Sequence, residues 1–212
     1  MEALPAPRVL VLACGALARE LLELTSTHRL DNVRIECLPA ALHNQPAKIP
    51  AALRARRETI RDDYDTVLVG YADCGTAGAI DELCDELGVE RLPGAHCYEV
   101  YAGGGRFHEM HEADPTVFYV TDFLVRHFDR LVMQGLGIAE HPELLQQYFG
   151  NYTTLRYLAQ TADQQLDRDA RLAATKLGLR FERVQTGYGD LSEVVVALAG
   201  ALPAQLSGLG AP

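Results

Sequence analysis

Short apolar runs alternate along this chain with stretches in which apolar residues recur every three or four positions, a pattern that predicts strands and helices in turn. RVLVLA at 8–13 reads as a first strand, and 16–26 as a helix whose apolar face carries Leu17, Leu21, Leu22 and Leu24. VRIECL at 33–38 is a second strand. Prolines 39, 46 and 50 punctuate the loop that follows, before a polar helix over 50–62. DTVLVGY at 65–71 is a third strand, followed by a helix over 77–87 and a short strand over 89–92.

Beyond an irregular stretch the alternation resumes. Strands are expected at 116–121, 153–159 and 179–185, and helices at 122–134, 142–149, 163–177 and 190–201, with a frayed tail, PAQLSGLGAP. Such spacing argues for an α/β fold: a mainly parallel, Rossmann-like sheet of βαβ repeats with helices on both faces. The expected organisation is one domain over 1–212, with room for a helical insertion over 94–150. The irregular stretch at 94–114 holds three successive glycines and three histidines, and suggests a functional or flexible connection.

Composition narrows the function classes. At 48% hydrophobic and 23% charged, the 212 residues can bury a substantial core. The formal charge of −10 argues against nucleic acid as a partner, because phosphate backbones are held by clustered Lys and Arg. RARR at 54–57 is the densest basic run and fits the solvated face of a helix. The first residues read as a strand rather than a signal peptide or membrane span, so a cytoplasmic protein with no membrane partner is expected. Five cysteines in a reducing compartment point to metal or thiol chemistry rather than to disulfides.

Two of those cysteines occupy near-repeated contexts. VLVLACG ends at Cys14-Gly15 and TVLVGYADCG at Cys74-Gly75, each a strand stopping at a Cys-Gly turn that feeds a helix. Cys97 follows the third such run. Strand ends of this kind are where open α/β sheets bind ligands, so Cys14, Cys74 and Cys97 are the candidate metal ligands, although their separations of 60 and 23 residues match no zinc-ribbon spacing. Small buried hydrophobes at tight turns would look the same. Cys37, inside a strand, and Cys84, inside a helix, read as core.

His43, in LHNQP after the second strand, is the best fourth ligand or acid/base group, while His108 and His111 fit a solvated helix. Asp73 and Glu99 each flank a site cysteine and are candidates for proton transfer or for orienting a ligand. Gly15, Gly75 and Tyr98 border the same turns and are candidates for contact with a cofactor. Tyr71 is a further pocket-lining candidate, and Asp122 reads as a helix cap. Neither CGTAG at 74–78 nor GGG at 103–105 matches a dinucleotide or Walker loop.

CGAL at 14–17, LHNQP at 42–46, GYADCG at 70–75, PGAHCYE at 93–99, TDF at 121–123, FGNY at 149–152 and GYGDL at 187–191 together resemble a family of bacterial and archaeal proteins of unknown function. The resemblance spans nearly the whole chain. It implies a setting in one-carbon metabolism, because genes of that family often lie beside corrinoid proteins and methyltransferases for methylated amines. The combined expectation is a zinc or [4Fe-4S] protein of methyl-group metabolism, a methyltransferase or lyase, with a small-molecule substrate and a corrinoid protein or methyltransferase as partner. Three cysteines and one free iron would parallel quinolinate synthase. Two other classes fit the same residues: a small-molecule or corrinoid-binding module without catalysis, and a metal-free cysteine enzyme using His43 as base.

Overall fold

The computed structural model describes residues 7–60 and 64–200. The expected frayed tail and the last residues of the helices expected at 50–62 and 190–201 lie outside the described residues. The chain forms two compact units, one running through Val100 and taking up the chain again from Asp190, the other Tyr101–Gly189.

The first unit carries β1 (Val9–Cys14), α1 (Ala18–Thr27), β2 (Val33–Leu38), α2 (Ile49–Thr59), β3 (Thr66–Gly70), α3 (Ala79–Leu87), β4 (Glu90–Arg91) and the start of α4 (Cys97–Ala102). All strand pairs are parallel and the order is β2-β1-β3-β4. β1 is buried at every position, as a strand with neighbours on both sides must be, and this explains its unbroken apolar run. From β1 the chain passes to β2 on one side and then to β3 on the other. The carboxyl ends of β1 and β3 therefore diverge into different connections, which leaves a crevice where doubly wound sheets take their ligands.

Small residues bring those two strands together. Gly70 pairs with Ala13, and a Cβ on Gly70 would stand 2.6 Å from the Ala13 Cβ. No larger pair fits there. The result is that Cys14 and Tyr71, the next residue on each strand, enter the same crevice.

The second unit contains α5 (Gly104–Ala113), β5 (Val117–Thr121), α6 (Asp122–Arg126), α7 (Leu144–Phe149), β6 (Thr154–Ala159), α8 (Gln164–Leu177) and β7 (Arg180–Gln185). Its sheet is parallel in the order β5-β6-β7. Val120, Leu155 and Tyr157 of the sheet pack with Phe128, Ala170 and Ala174 in its core. α9 (Asp190–Gly200) returns to the first unit and packs on α1. The α/β class read from the sequence is the class observed, as two parallel sheets flanked by helices.

Four local readings change. Where the sequence suggests an irregular connection over 94–114, α4 and α5 form, separated by Gly103 at φ 81°. The helix expected over 122–134 stops at Arg126 and resumes as a π-helical turn, Asp129–Gln134, where Gly135 N donates to Arg130 O five residues back. Cys37 is exposed rather than core, because β2 is an edge strand whose faces are only partly covered. Cys84 is buried on α3, 5% exposed.

Asp122 does not cap its helix. Thr121 does, its hydroxyl accepting from Leu124 N at 3.4 Å. The fully buried Asp122 carboxylate instead accepts from Tyr157 Oη at 2.6 Å, Gln160 N at 3.0 Å, and Thr161 N and Oγ1 at 3.2 and 2.5 Å. It ties the end of β5 to the end of β6, a long-range partner set that a capping pattern in the sequence conceals.

Candidate functional site

The crevice of the first sheet gathers its side chains from the loop after each strand. Cys14 ends β1, is 3% exposed, and accepts from Ala16 N at 3.4 Å, so the thiol caps the turn Gly15–Leu17. His43 lies in a 3-10 turn, Ala40–Asn44, after β2, and its Nδ1 stands 3.7 Å from Cys14 Sγ. Tyr71 follows β3 and is 1% exposed. Among the described residues its hydroxyl has no nitrogen or oxygen partner, and it faces the Cys14 thiol. A buried hydroxyl left in that condition costs free energy, and such groups concentrate at functional sites.

Cys74 is held in strained backbone. Its φ of 51° is left-handed, as is that of Ala77 at 54°, in a turn that also uses Gly75 at 79° and Gly78 at 88°. For a non-glycine residue this conformation costs on the order of 1–3 kcal/mol, and the surrounding structure must enforce it. Hydrogen bonds do so: Cys74 N donates to Ala95 O at 2.8 Å and Asp73 N to Gly94 O at 3.1 Å, stitching this loop to the one that carries Cys97.

Asp73 and Glu99 shape these two loops. The Asp73 carboxylate accepts from Thr76 Oγ1 and Gly78 N, each at 2.8 Å, and from Ala77 N at 3.3 Å. Desolvation works against its charge, but the Gly78, Thr76 and Ala77 donors and the Arg91 charge outweigh it and hold the carboxyl below its usual range. Glu99 accepts from Ala95 N at 2.6 Å, and its carboxylate fills the space where Gly94 has no Cβ. Gly15 abuts Leu38 O, at 3.0 Å from a built Cβ, and Gly75 is exposed beside Pro46. Tyr98 is half-buried, with its ring 6.2 Å from that of the exposed His96.

Burial raises all three thiols. Burial pushes Cys74 up to about 12, with a further contribution from Cys14. Burial raises Cys97 more strongly, with Cys74 and then Cys14 adding to it. Cys14 is raised by burial, against the pull of the Ala16 N–H and the Tyr71 hydroxyl. His43 as a residue is exposed, but packing around the ring lowers its pKa, with a smaller effect from His96. These directions favour protonated thiols at neutral pH, with Cys14 beside a neutral imidazole. A negative charge on any one sulfur disfavours the next, and only a cation among them reverses that order.

The donor set is soft and suited to zinc or to iron in a cluster. As placed, no three His, Cys, Asp or Glu side chains among the described residues stand in a metal-holding arrangement. His108 belongs to α5 of the second unit, where it is paired with Glu112 at 3.2 Å and well exposed. His111 stacks on Phe107 with ring centroids 5.9 Å apart. The sequence carried no sign of the left-handed Cys74 or of the Tyr71 hydroxyl buried against Cys14, although GYADCG, which holds both residues, marked the segment.

Fold and site together define an α/β protein with a thiol-lined crevice where the strand order of its first sheet reverses. The chain belongs to the family described as Protein of unknown function (DUF1638), whose model matches residues 37–195. The match includes His43, Cys74 and Cys97, and begins after Cys14. No curated protein matches the chain. Among the described residues, no helix is long and apolar enough to cross a membrane.

Proposed function

We propose that the crevice is a metal centre, zinc or a [4Fe-4S] cluster, at which a small molecule is transformed, with Cys14, Cys74 and Cys97 as ligands. The observation that carries this reading is the gathering of three thiols, each raised by burial, with Cys14 adding to Cys74 and both adding to Cys97, beside the 3.7 Å approach of His43 to Cys14. Thiols so raised are poor free nucleophiles at neutral pH, whereas a soft cation would deprotonate them outright. Bound by three protein ligands, such a metal would supply Lewis acidity at an open position. His43 would accept the proton that Cys14 releases, Tyr71 would donate its hydroxyl to a substrate oxygen, and Asp73 and Glu99 would hold the two loops in register. Transfer of a one-carbon unit is the reaction class we favour, with a corrinoid protein or methyltransferase as partner, from the resemblance of the motifs. Anaerobic purification followed by elemental analysis tests the proposal: a brown, iron-containing protein indicates the cluster, and a colourless zinc protein the single ion.

A second reading is favoured by one contact. The 3.7 Å approach of His43 Nδ1 to Cys14 Sγ is within reach of a thiol–imidazole pair in which His43 takes the proton as Cys14 attacks. Alkylation of metal-free protein separates the two. Activity abolished without any metal having been present favours the pair.

A further inference from the structure

A groove of about 550 Å³ in the second unit lies between the π-helical turn and α8. Arg126, His127, Asp129 and Arg130 line it from the segment around the π turn and Asp169 and Lys176 from α8, together with Val125 and Phe128. In a chain of net charge −10, three cations against two carboxylates leave this lining with a positive balance. Lys176 is paired with Asp129, and Asp169 accepts from Gln165 Nε2 at 2.9 Å. Arg126 reaches the buried Asp122 only at 3.7 Å. Among the described residues, no carboxylate pairs with Arg130.

Arg126 and Arg130 are four residues apart at the junction of α6 and the π turn, where like charges repel. His127 between them packs edge-on to Phe123, ring centroids 4.7 Å apart, and burial and then the two guanidiniums lower its pKa, so its neutral ring can donate or accept. A π turn is a costly departure from the α-helix that recurs at ligand sites. The size suits a small molecule, and Val125 and Phe128 suit an apolar body.

We propose that this groove binds a small organic anion, a phosphate monoester or a carboxylate, with its charged end between Arg126 and Arg130 and its apolar part over Val125 and Phe128. Guanidinium forks suit either head group. The proposal is independent of the thiol crevice and of what that crevice does.

Titration of the full chain with phenyl phosphate, phenylacetate and benzyl alcohol, followed by calorimetry and by amide NMR shifts, tests it. Saturable binding of at least one of the two anions, with shifts confined to 125–134 and 169–176, is expected. Arg130→Gln should weaken it about tenfold, in line with the loss of one charge-assisted hydrogen bond. Leu172→Glu, at an exposed rim position, should abolish it without disturbing the fold, whereas Arg168→Gln should leave it unchanged. Which anion binds identifies the head group. Absence of saturable binding by both anions, equal binding of the neutral alcohol, or undiminished binding by Arg130→Gln would overturn the assignment.

Discussion

The Gly70 Cα lies so close to Ala13 that a methyl group built on it would fall 2.6 Å from the Ala13 Cβ. That approach sets the spacing of β1 and β3 and hence of Cys14 and Tyr71 beyond them. Gly70→Ala should destabilise the protein by about 1–3 kcal/mol, the range for overpacking a filled core. Gly88→Ala, with nothing within 4 Å but a φ of 63°, should cost about 1 kcal/mol from backbone strain alone. Chemical denaturation checks the order. A Gly70→Ala variant as stable as wild type would show that β1 and β3 tolerate a wider separation.

Asp122 holds the second unit together. Asp122→Ala leaves the donors of Tyr157, Gln160 and Thr161 without their acceptor and should cost about 3–5 kcal/mol, the scale for breaking a buried charged network. Thr161→Ala removes one hydroxyl of that set and should cost about 1 kcal/mol. Thermal melts of the two variants give the ranking, and near-equal losses would mean that the carboxylate is not the hub.

Metal-free protein should lose stability in alkali. Cys74 has an ordinary value of 9.0 and is pushed up to about 12 by burial and by Cys14, so the folded state retains a proton that the unfolded state gives up. Its contribution to stability is therefore complete below about pH 9 and is lost as the pH rises toward 12. Cys74→Ala should flatten that decline. Unfolding free energies measured from pH 8 to 11 decide the point, and parallel curves for the two proteins would count against a buried neutral thiol.

Much of this was legible in the pattern of residues. The unbroken apolar run of β1 and the Cys-Gly turns that follow β1 and β3 reveal a parallel sheet and the loops at its carboxyl edge, because burial on both faces leaves a plain mark. The π turn after Arg126 was hidden, since apolar spacing does not distinguish i→i−5 from i→i−4 bonding over one turn. Asp122 was misread because its partners lie 35 to 39 residues away. Cys37 misled because alternation marks a strand without telling an edge from a centre.

His43 and His108 offer a contrast within one residue type. His43→Ala should reduce metal affinity about 10- to 100-fold, as loss of a group supporting a ligand does, while His108→Ala should change it little. Competition with a coloured chelator gives both values. The reverse order would move the metal away from the crevice.

The most direct measurement is the metal content of protein purified without oxygen, compared with that of Cys74→Ser. Near-stoichiometric zinc or iron in wild type, lost in Cys74→Ser and kept in Cys84→Ser, is the expected result. Wild-type protein without metal, or equal metal in wild type and Cys74→Ser, would contradict a metal centre built on these thiols.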